Sequence, residues 1–496
     1  MFRNLLGVEK QMNGNSERLS RRIFIAITKF LISMLATSPP SACGQYVSSS
    51  GIRQSISSVS GQSPATQGSV PSGAATNETV QLTLRDAINM ALRYNLGTIE
   101  SGENERAARG ERLLALSQLL PQVSVGVSEN VNQASKAVLG VKNVPQIPRV
   151  REYSYSSADA TVSVTLFSFS SIQRFRATQT AEQAARLNYQ DTLDVVTLVV
   201  GNAYLLVIEA ASRIQAQEAL VRNAQALYNQ ALDSFQAGIA PKIDVTRTEV
   251  QLHTEQYSLS VDRNNFDIAR LNLSRAIGMP LGQKFEIVDQ LPYAEINPAT
   301  VEEALKSAYL SRSDFRAALD SEKAAERTLS GARGERYPVV AMNGSYSDVG
   351  STFGHSNGNF SVEAGVRVPV FTGGRIKGEI TEAEATLQQR KAEAENIRGQ
   401  VDYDVRTAFL NLNAAREQVD VARRNVDLAN ENLARCKDRF ASGVTDSVEV
   451  VQAEQSLASA NDQYITSVYS HNAAKLSLAR ALGVARTNYS QYLGGH

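Results

Sequence analysis

The chain has no tryptophan, 13 prolines and two cysteines in 496 residues. So few prolines leave room for long helices, because a proline inside a helix costs about 3 kcal/mol. Two cysteines exclude a disulfide framework. The four histidines (His253, His355, His471, His496) show no metal-ligand spacing, and no cofactor motif stands in for one. The 50 basic and 50 acidic residues balance, which gives no electrostatic footprint for nucleic acid. No nucleophile elbow or phosphate loop is present, so the sequence does not read as an enzyme; Gly373-Gly374 reads as a strand-to-helix turn.

Long apolar runs are equally scarce. Residues 23–36 form one, behind Arg21-Arg22, and no other segment reaches the length of a spanning helix, about 20 residues. With Ser41, Ala42 and Gly44 following, residues 1–44 read as a secretory signal cleaved after Gly44. Two alternatives stay open: lipidation at Cys43, and twin-arginine export through Ser20-Arg-Arg-Ile-Phe24. Residues 45–79 are rich in Ser, Gly, Gln and Thr and read as a disordered leader.

What is present is a sequence written twice. Phe235-Gln-Ala-Gly-Ile-Ala-Pro-Lys-Ile-Asp-Val recurs 205 residues later as Phe440-Ala-Ser-Gly-Val-Thr-Asp-Ser-Val-Glu-Val. At the same offset Leu271-Asn-Leu-Ser-Arg-Ala-Ile-Gly278 matches Leu476-Ser-Leu-Ala-Arg-Ala-Leu-Gly483. Upstream, Ala87 and Pro121 match Ala304 and Pro338 at an offset of 217. One structural unit is therefore used twice, over 80–290 and 291–485, before a tail at 486–496. Each half is expected to run helix, strand, loop, strand, long helix, tight turn, long helix.

The long helices carry a heptad seam. From Val401 it steps through Val405, Ala408, Leu412, Ala415, Val419, Ala422, Val426, Ala429, Leu433 and Cys436 to Phe440. The seam from Val196 to Phe235 repeats it, broken only by Gln217. After each turn a second ladder follows: Val245, Leu252, Leu259, Phe266, Leu273, and Val450, Leu457, Tyr464, His471, Leu478. The spacing predicts antiparallel coiled-coil rods over about 170–237, 241–278, 374–441 and 445–483. Cys436 and His471 read as packing residues on these seams.

The strands, about 122–132, 157–168, 338–348 and 359–371, alternate with period two. Phe360, Val362, Ala364, Val366 and Val368 face one way; Glu363 and Arg367 face the other. That is the pattern of a membrane barrel, polar on the lumen side. Four strands cannot close one, and open edges cannot sit in lipid, so a membrane reading requires an oligomer; three copies make twelve strands. Two hairpins capping a soluble helical domain are the other reading.

These residues resemble the TolC-like outer-membrane efflux protein family over about Leu82 to Gly483. The resemblance rests on the duplication, Leu82-Thr-Leu-Arg-Asp-Ala-Ile88, Leu120-Pro121, Pro369-Val-Phe-Thr-Gly-Gly-Arg375 and the two Phe-x-x-Gly turns. It implies a mainly α protein with membrane β: a homotrimer with a twelve-stranded barrel in the outer-membrane lipid of a Gram-negative-type bacterium. A helical tunnel would extend into the periplasm. The implied function is the exit duct of a tripartite efflux or type I secretion system, working with a periplasmic adaptor and an inner-membrane pump, with no nucleic acid and no cofactor. The alternative is a structural coiled-coil envelope protein without a channel.

The resemblance also implies roles for residues. Gly238, Ile239, Ala240, Pro241, Gly443, Val444 and Thr445 form the adaptor-docking tips. Glu449, Gln452 and Asp446 ring the channel aperture. Asp244 latches neighbouring helices, although its aromatic and basic partner positions hold Phe440 and Thr445.

Overall fold

The computed structural model describes residues 68–135, 150–289, 293, 300–351, 355–442, 444–445 and 447–493. The signal, most of the leader, Gly443 and Asp446 lie outside these residues. The described residues divide into two units: a strand unit, Ser117–Phe169 with Tyr337–Val370, and a helical unit over 68–116, 170–336 and 371–493.

The helical unit begins with β1 (Val80–Leu82), α1 (Leu84–Tyr94) and α2 (Leu96–Ser117). Thr83 caps α1, its hydroxyl accepting from the Asp86 N–H. Then come the first long helix, α3 (Phe169–Gln236), α4 (Lys242–Ile277) and β4 (Phe285–Ile287). β1 and β4 pair in parallel. The second half supplies α5 (Val301–Ser311), α6 (Ser313–Gly334), α7 (Arg375–Ala441) and α8 (Ser447–Ala481). The expected C-terminal tail instead forms α9 (Ala485–Leu493), whose first residue Ala485 is buried.

The single helix expected at the start of each half is split in two. The breaks fall at Asn95 and Arg312, 217 residues apart and hence at equivalent positions. The reason lies in the ends of α4 and α8. Gly278 and Gly483 both adopt left-handed backbone, with φ of 75° and 73°. A Cβ on Gly278 would meet Tyr94 Cβ at 2.6 Å, and one on Gly483 would meet the Arg312 backbone at 2.9 Å. Each glycine-capped helix end thus seats against the break in its own half, and only glycine fits there. Arg312 is buried and pairs with Asp314 at 2.6 Å and Asp404 at 2.7 Å, tying the break to α7.

The leader was expected to be unstructured to residue 79. From Gly68 it is instead held in place: Val70 N–H donates to Tyr94 O, and Ser72 N–H to Gly278 O, each at 2.8 Å. Thr76 donates to Gln283 Oε1 through its N–H at 2.7 Å. Its few apolar residues matter less than these backbone pairings.

Along α7 the seam is buried at Val401, Val405, Ala408, Leu412, Ala415, Val419, Ala422 and Leu433. In α3, Val196, Val200 and Tyr204 join Leu273, Ile277 and Leu476 in the largest core cluster. Contrary to the sequence reading, α3 is long and apolar enough to cross a membrane by composition. Its apolar middle is packed on more than one face, because Tyr204 and Leu205 are buried along with the seam. Tyr204 donates to Asp289 Oδ2 at 2.8 Å, and the same carboxylate accepts from Leu84 N–H at 2.7 Å.

The strand unit is one antiparallel sheet ordered β2-β3-β5-β6: Gln122–Ser135, Val150–Phe167, Val339–Gly350 and Ser356–Arg367. β3 pairs with β5, so the sheet runs continuously across both halves. Its register sorts the faces. Val123, Val162, Gly344 and Val362 form one row, and Val125, Ala160, Tyr346 and Phe360 another. Between them Ser124, Thr161, Ser345 and Ser361 form a polar row on the opposite face. There Ser124 bonds Thr161 at 2.6 Å and Ser345 bonds Ser361 at 2.9 Å, hydroxyl to hydroxyl. β2 and β6 are edges. On them Val123, Val125, Val127, Phe360, Val362 and Val366 are all exposed.

Candidate functional site

Four helix ends converge in the helical unit: the C-termini of α3 and α7 and the N-termini of α4 and α8. The α3 end closes by the six-to-one bond from Ile239 N–H to Ser234 O at 2.9 Å, with Gly238 at φ 72°. At the α7 end Val444 N–H reaches Arg439 O at 3.0 Å, the same bond in the second copy. Pro241 then precedes α4 with φ −77°, the value its ring imposes. The two turns hold out apolar side chains: Ile239 is 82% exposed and Val444 68%. Gly238 and Pro241 are exposed as well, and Ala240 and Thr445 half-buried.

Asp244 is buried in the first turn of α4, where the helix N-terminus favours a carboxylate. It accepts from Ser447 Oγ at 2.7 Å and from Arg247 Nη1 at 3.2 Å, and Arg247 also donates to Ser447 Oγ at 3.2 Å. Ser447 opens α8 and is fully buried. The triad joins the two hairpins across the duplication. Phe440 packs beside Leu433, Val450 and Leu457. The sequence reading singled out Asp244 but missed Ser447 and Arg247. No spacing rule pairs residues 203 apart, and Ser447 occupies the position that Lys242 holds in the first half.

Glu449 is partly exposed on α8, and its carboxylate lies 3.7 Å from Arg439 Nη2 on α7. Gln452 is exposed one turn further on. Val450 and Ala453 cover the buried side of the same helix. Asp446, the third aperture candidate, lies outside the described residues, as does Gly443 of the docking tip.

Deeper in the same helices sits a buried polar group. Glu255 accepts from Gln251 Nε2 at 2.6 Å and from Gln217 Nε2. Glu454 is 2% exposed, with Lys437 Nζ 3.7 Å away. Gln217, the break in the α3 seam, therefore points at a carboxylate. Farther along α8, the His471 ring packs at a tilt of 49° against Tyr293, with ring centroids 4.8 Å apart. Burial pushes its imidazole down to about 4, so it stays neutral at ordinary pH. Cys436 is a free, half-buried thiol on the seam. In the strand unit Glu363 and Arg367 are exposed, and among the described residues no ion pair joins them.

Among the described residues no group of side chains could hold a metal ion. An amphipathic antiparallel sheet with open edges, combined with paired helical rods about 100 Å long at 1.5 Å per residue, defines the class of outer-membrane channels with a helical extension. A family model described as outer membrane efflux protein matches residues 101–279 and 304–484, and the chain belongs to that family. Outer membrane protein TolC of Salmonella enteritidis is 22% identical over 422 residues, covering 81% of this chain and 83% of TolC. The toluene efflux pump outer membrane protein TtgF of Pseudomonas putida is 25% identical over 427 residues, covering 82% and 84%. In fold, the Campylobacter jejuni CmeC outer membrane channel matches with a TM-score of 0.70 at 15% identity, covering 92% of this chain and 97% of that one. The chain is an outer-membrane exit duct with the α-barrel and β-barrel fold of its family, whose members are channels rather than enzymes.

Proposed function

We propose that three copies assemble into one passive duct, with a shared twelve-stranded barrel in outer-membrane lipid and a helical tunnel. The observation that carries this is the four-stranded sheet with two unpaired edges, β2 and β6, and one exposed apolar face. Lipid forbids unpaired strand edges, and three such sheets joined edge to edge leave none. The helices support the same assembly. Val250, Tyr257, Val261 and Ile268 on α4, and Tyr403, Leu410, Val421 and Leu428 on α7, are apolar yet exposed in the single chain. Neighbouring copies would cover them. Native mass measurement in detergent tests the proposal: a trimer is expected, and a stable monomer would overturn it.

In this reading Glu363 and Arg367 line the barrel lumen. The tips, Gly238, Ile239, Ala240, Pro241, Gly443, Val444 and Thr445, dock a periplasmic adaptor that connects to an inner-membrane pump. The Asp244–Ser447–Arg247 triad latches the two hairpins in the closed duct. Glu449, with Asp446 and Gln452, forms the selective ring at the aperture. Relatives named for toluene and cation efflux make small molecules the first substrate class to test.

A further inference from the structure

We infer that Glu454 is a proton-operated element: protonated, it allows α4 and α8 to pack side by side, and ionised it drives them apart. Four helices contribute to its surroundings. Glu454 sits on α8 among Val450, Ala453 and Leu457, which pack with Leu220 and Leu227 of α3 and Leu433 of α7. From α4 it faces Glu255, and from α7 it faces Lys437; α3 contributes the uncharged amide of Gln217.

The two carboxylates are not equivalent. Glu255 has an amide donor on each oxygen, Gln251 on Oε1 and Gln217 on Oε2. Both oxygens of Glu454 are buried and have no hydrogen-bond partner among the described residues. Against it stands one half-buried lysine, Lys437, at 3.7 Å, beyond hydrogen-bond distance. An ionised Glu454 carboxylate would be buried without donors, facing a second carboxyl group, so burial drives it to take up a proton. Burial first, opposed by Lys437 and reinforced by Glu255, pushes Glu454 up to about 7.

The direction follows from linkage. With the helices apart, Glu454 is hydrated and titrates in the ordinary glutamate range. Packed, it holds its proton until pH approaches 7. Each pH unit between about 5 and 7 therefore shifts the equilibrium toward separation by up to tenfold, and the shift levels off above 7. The same α4–α8 contact carries the Asp244–Ser447 bond at its end. On the duct reading, on which this consequence rests, acid favours the closed state and neutral pH loosens it.

Hydrogen exchange on the full chain in detergent tests the inference, at pH 5, 6, 7 and 8 with intrinsic rates divided out. Amides near 250–258 and 450–458 should lose up to tenfold protection per pH unit from 5 to 7 and then level off. Glu454→Gln should keep the pH 5 protection throughout. Lys437→Met, which removes the cation facing Glu454, should extend the loss above pH 7. Flat protection in the natural chain, or an unchanged pH profile in Glu454→Gln, would overturn the inference. Exchange reads helix packing whether or not the chain conducts. A monomer in native mass measurement would therefore remove the duct reading while leaving this result standing.

Discussion

Ser447 Oγ donates to the Asp244 carboxylate at 2.7 Å, joining two helix starts that lie 203 residues apart. Both groups are buried, so water does not compete for the bond. Each residue belongs to a different copy of the repeat, and their bond closes one hairpin on the other.

Replacing Ser447 by alanine should loosen this junction. Asp244 would keep Arg247 but lose its buried hydroxyl donor, a cost of about 1–3 kcal/mol. Planar-bilayer recordings of Ser447→Ala should show higher conductance than the natural chain. Equal conductance would show that the bond is structural and not a latch.

Glu449 and Arg439 should act with opposite sign on ion selectivity. The pair at 3.7 Å is partly exposed, so each charge remains available to passing ions. Glu449→Ala should lower cation preference and weaken block by divalent ions, while Arg439→Ala should raise cation preference. Reversal potentials in a salt gradient read both. If neither moves, the aperture is built from other residues.

The sheet makes a paired prediction. Val366 is exposed on the apolar face and Arg367 follows it on the opposite one. Val362→Arg, on the same face but at the middle of β6, should cost about 2–4 kcal/mol and reduce the heat-modifiable band in the outer-membrane fraction. Arg367→Gln should leave that band unchanged. Equal tolerance at both positions would reverse the assignment of faces.

Gly278→Ala should be strongly destabilising. The new methyl would meet Tyr94 Cβ at 2.6 Å and Val70 O at 2.8 Å, at a φ of 75° that alanine tolerates poorly. Neither neighbour is the free end of a flexible chain. Thermal unfolding in detergent should show a clear drop in Tm, whereas Gly399→Ala, where a Cβ meets nothing within 4 Å, should show none.

The repeat, the rods and the strands were legible because each is periodic. Heptads place Val401, Val405 and Ala408 on one helix face, and alternation places Val362 and Phe360 on one sheet face. Periodicity reads contacts between neighbours in a local pattern, and it found Asp244 and Glu449 only as positions in a repeated turn. It could not find the breaks at Asn95 and Arg312, because these exist to admit glycine-capped ends that arrive more than 170 residues later.

By itself, then, the amino-acid order determined the duplication, the long hairpins and the two-faced sheet, since these depend on short-range periodicity and turn chemistry. Only the tertiary structure decided which residues meet across the two copies. It set Ser447 and Arg247 on Asp244, Arg439 beside Glu449, and Glu454 without a donor against a fully bonded Glu255. Those partners are chosen by how four helices stack, and no local pattern encodes the stacking register between segments about 200 residues apart.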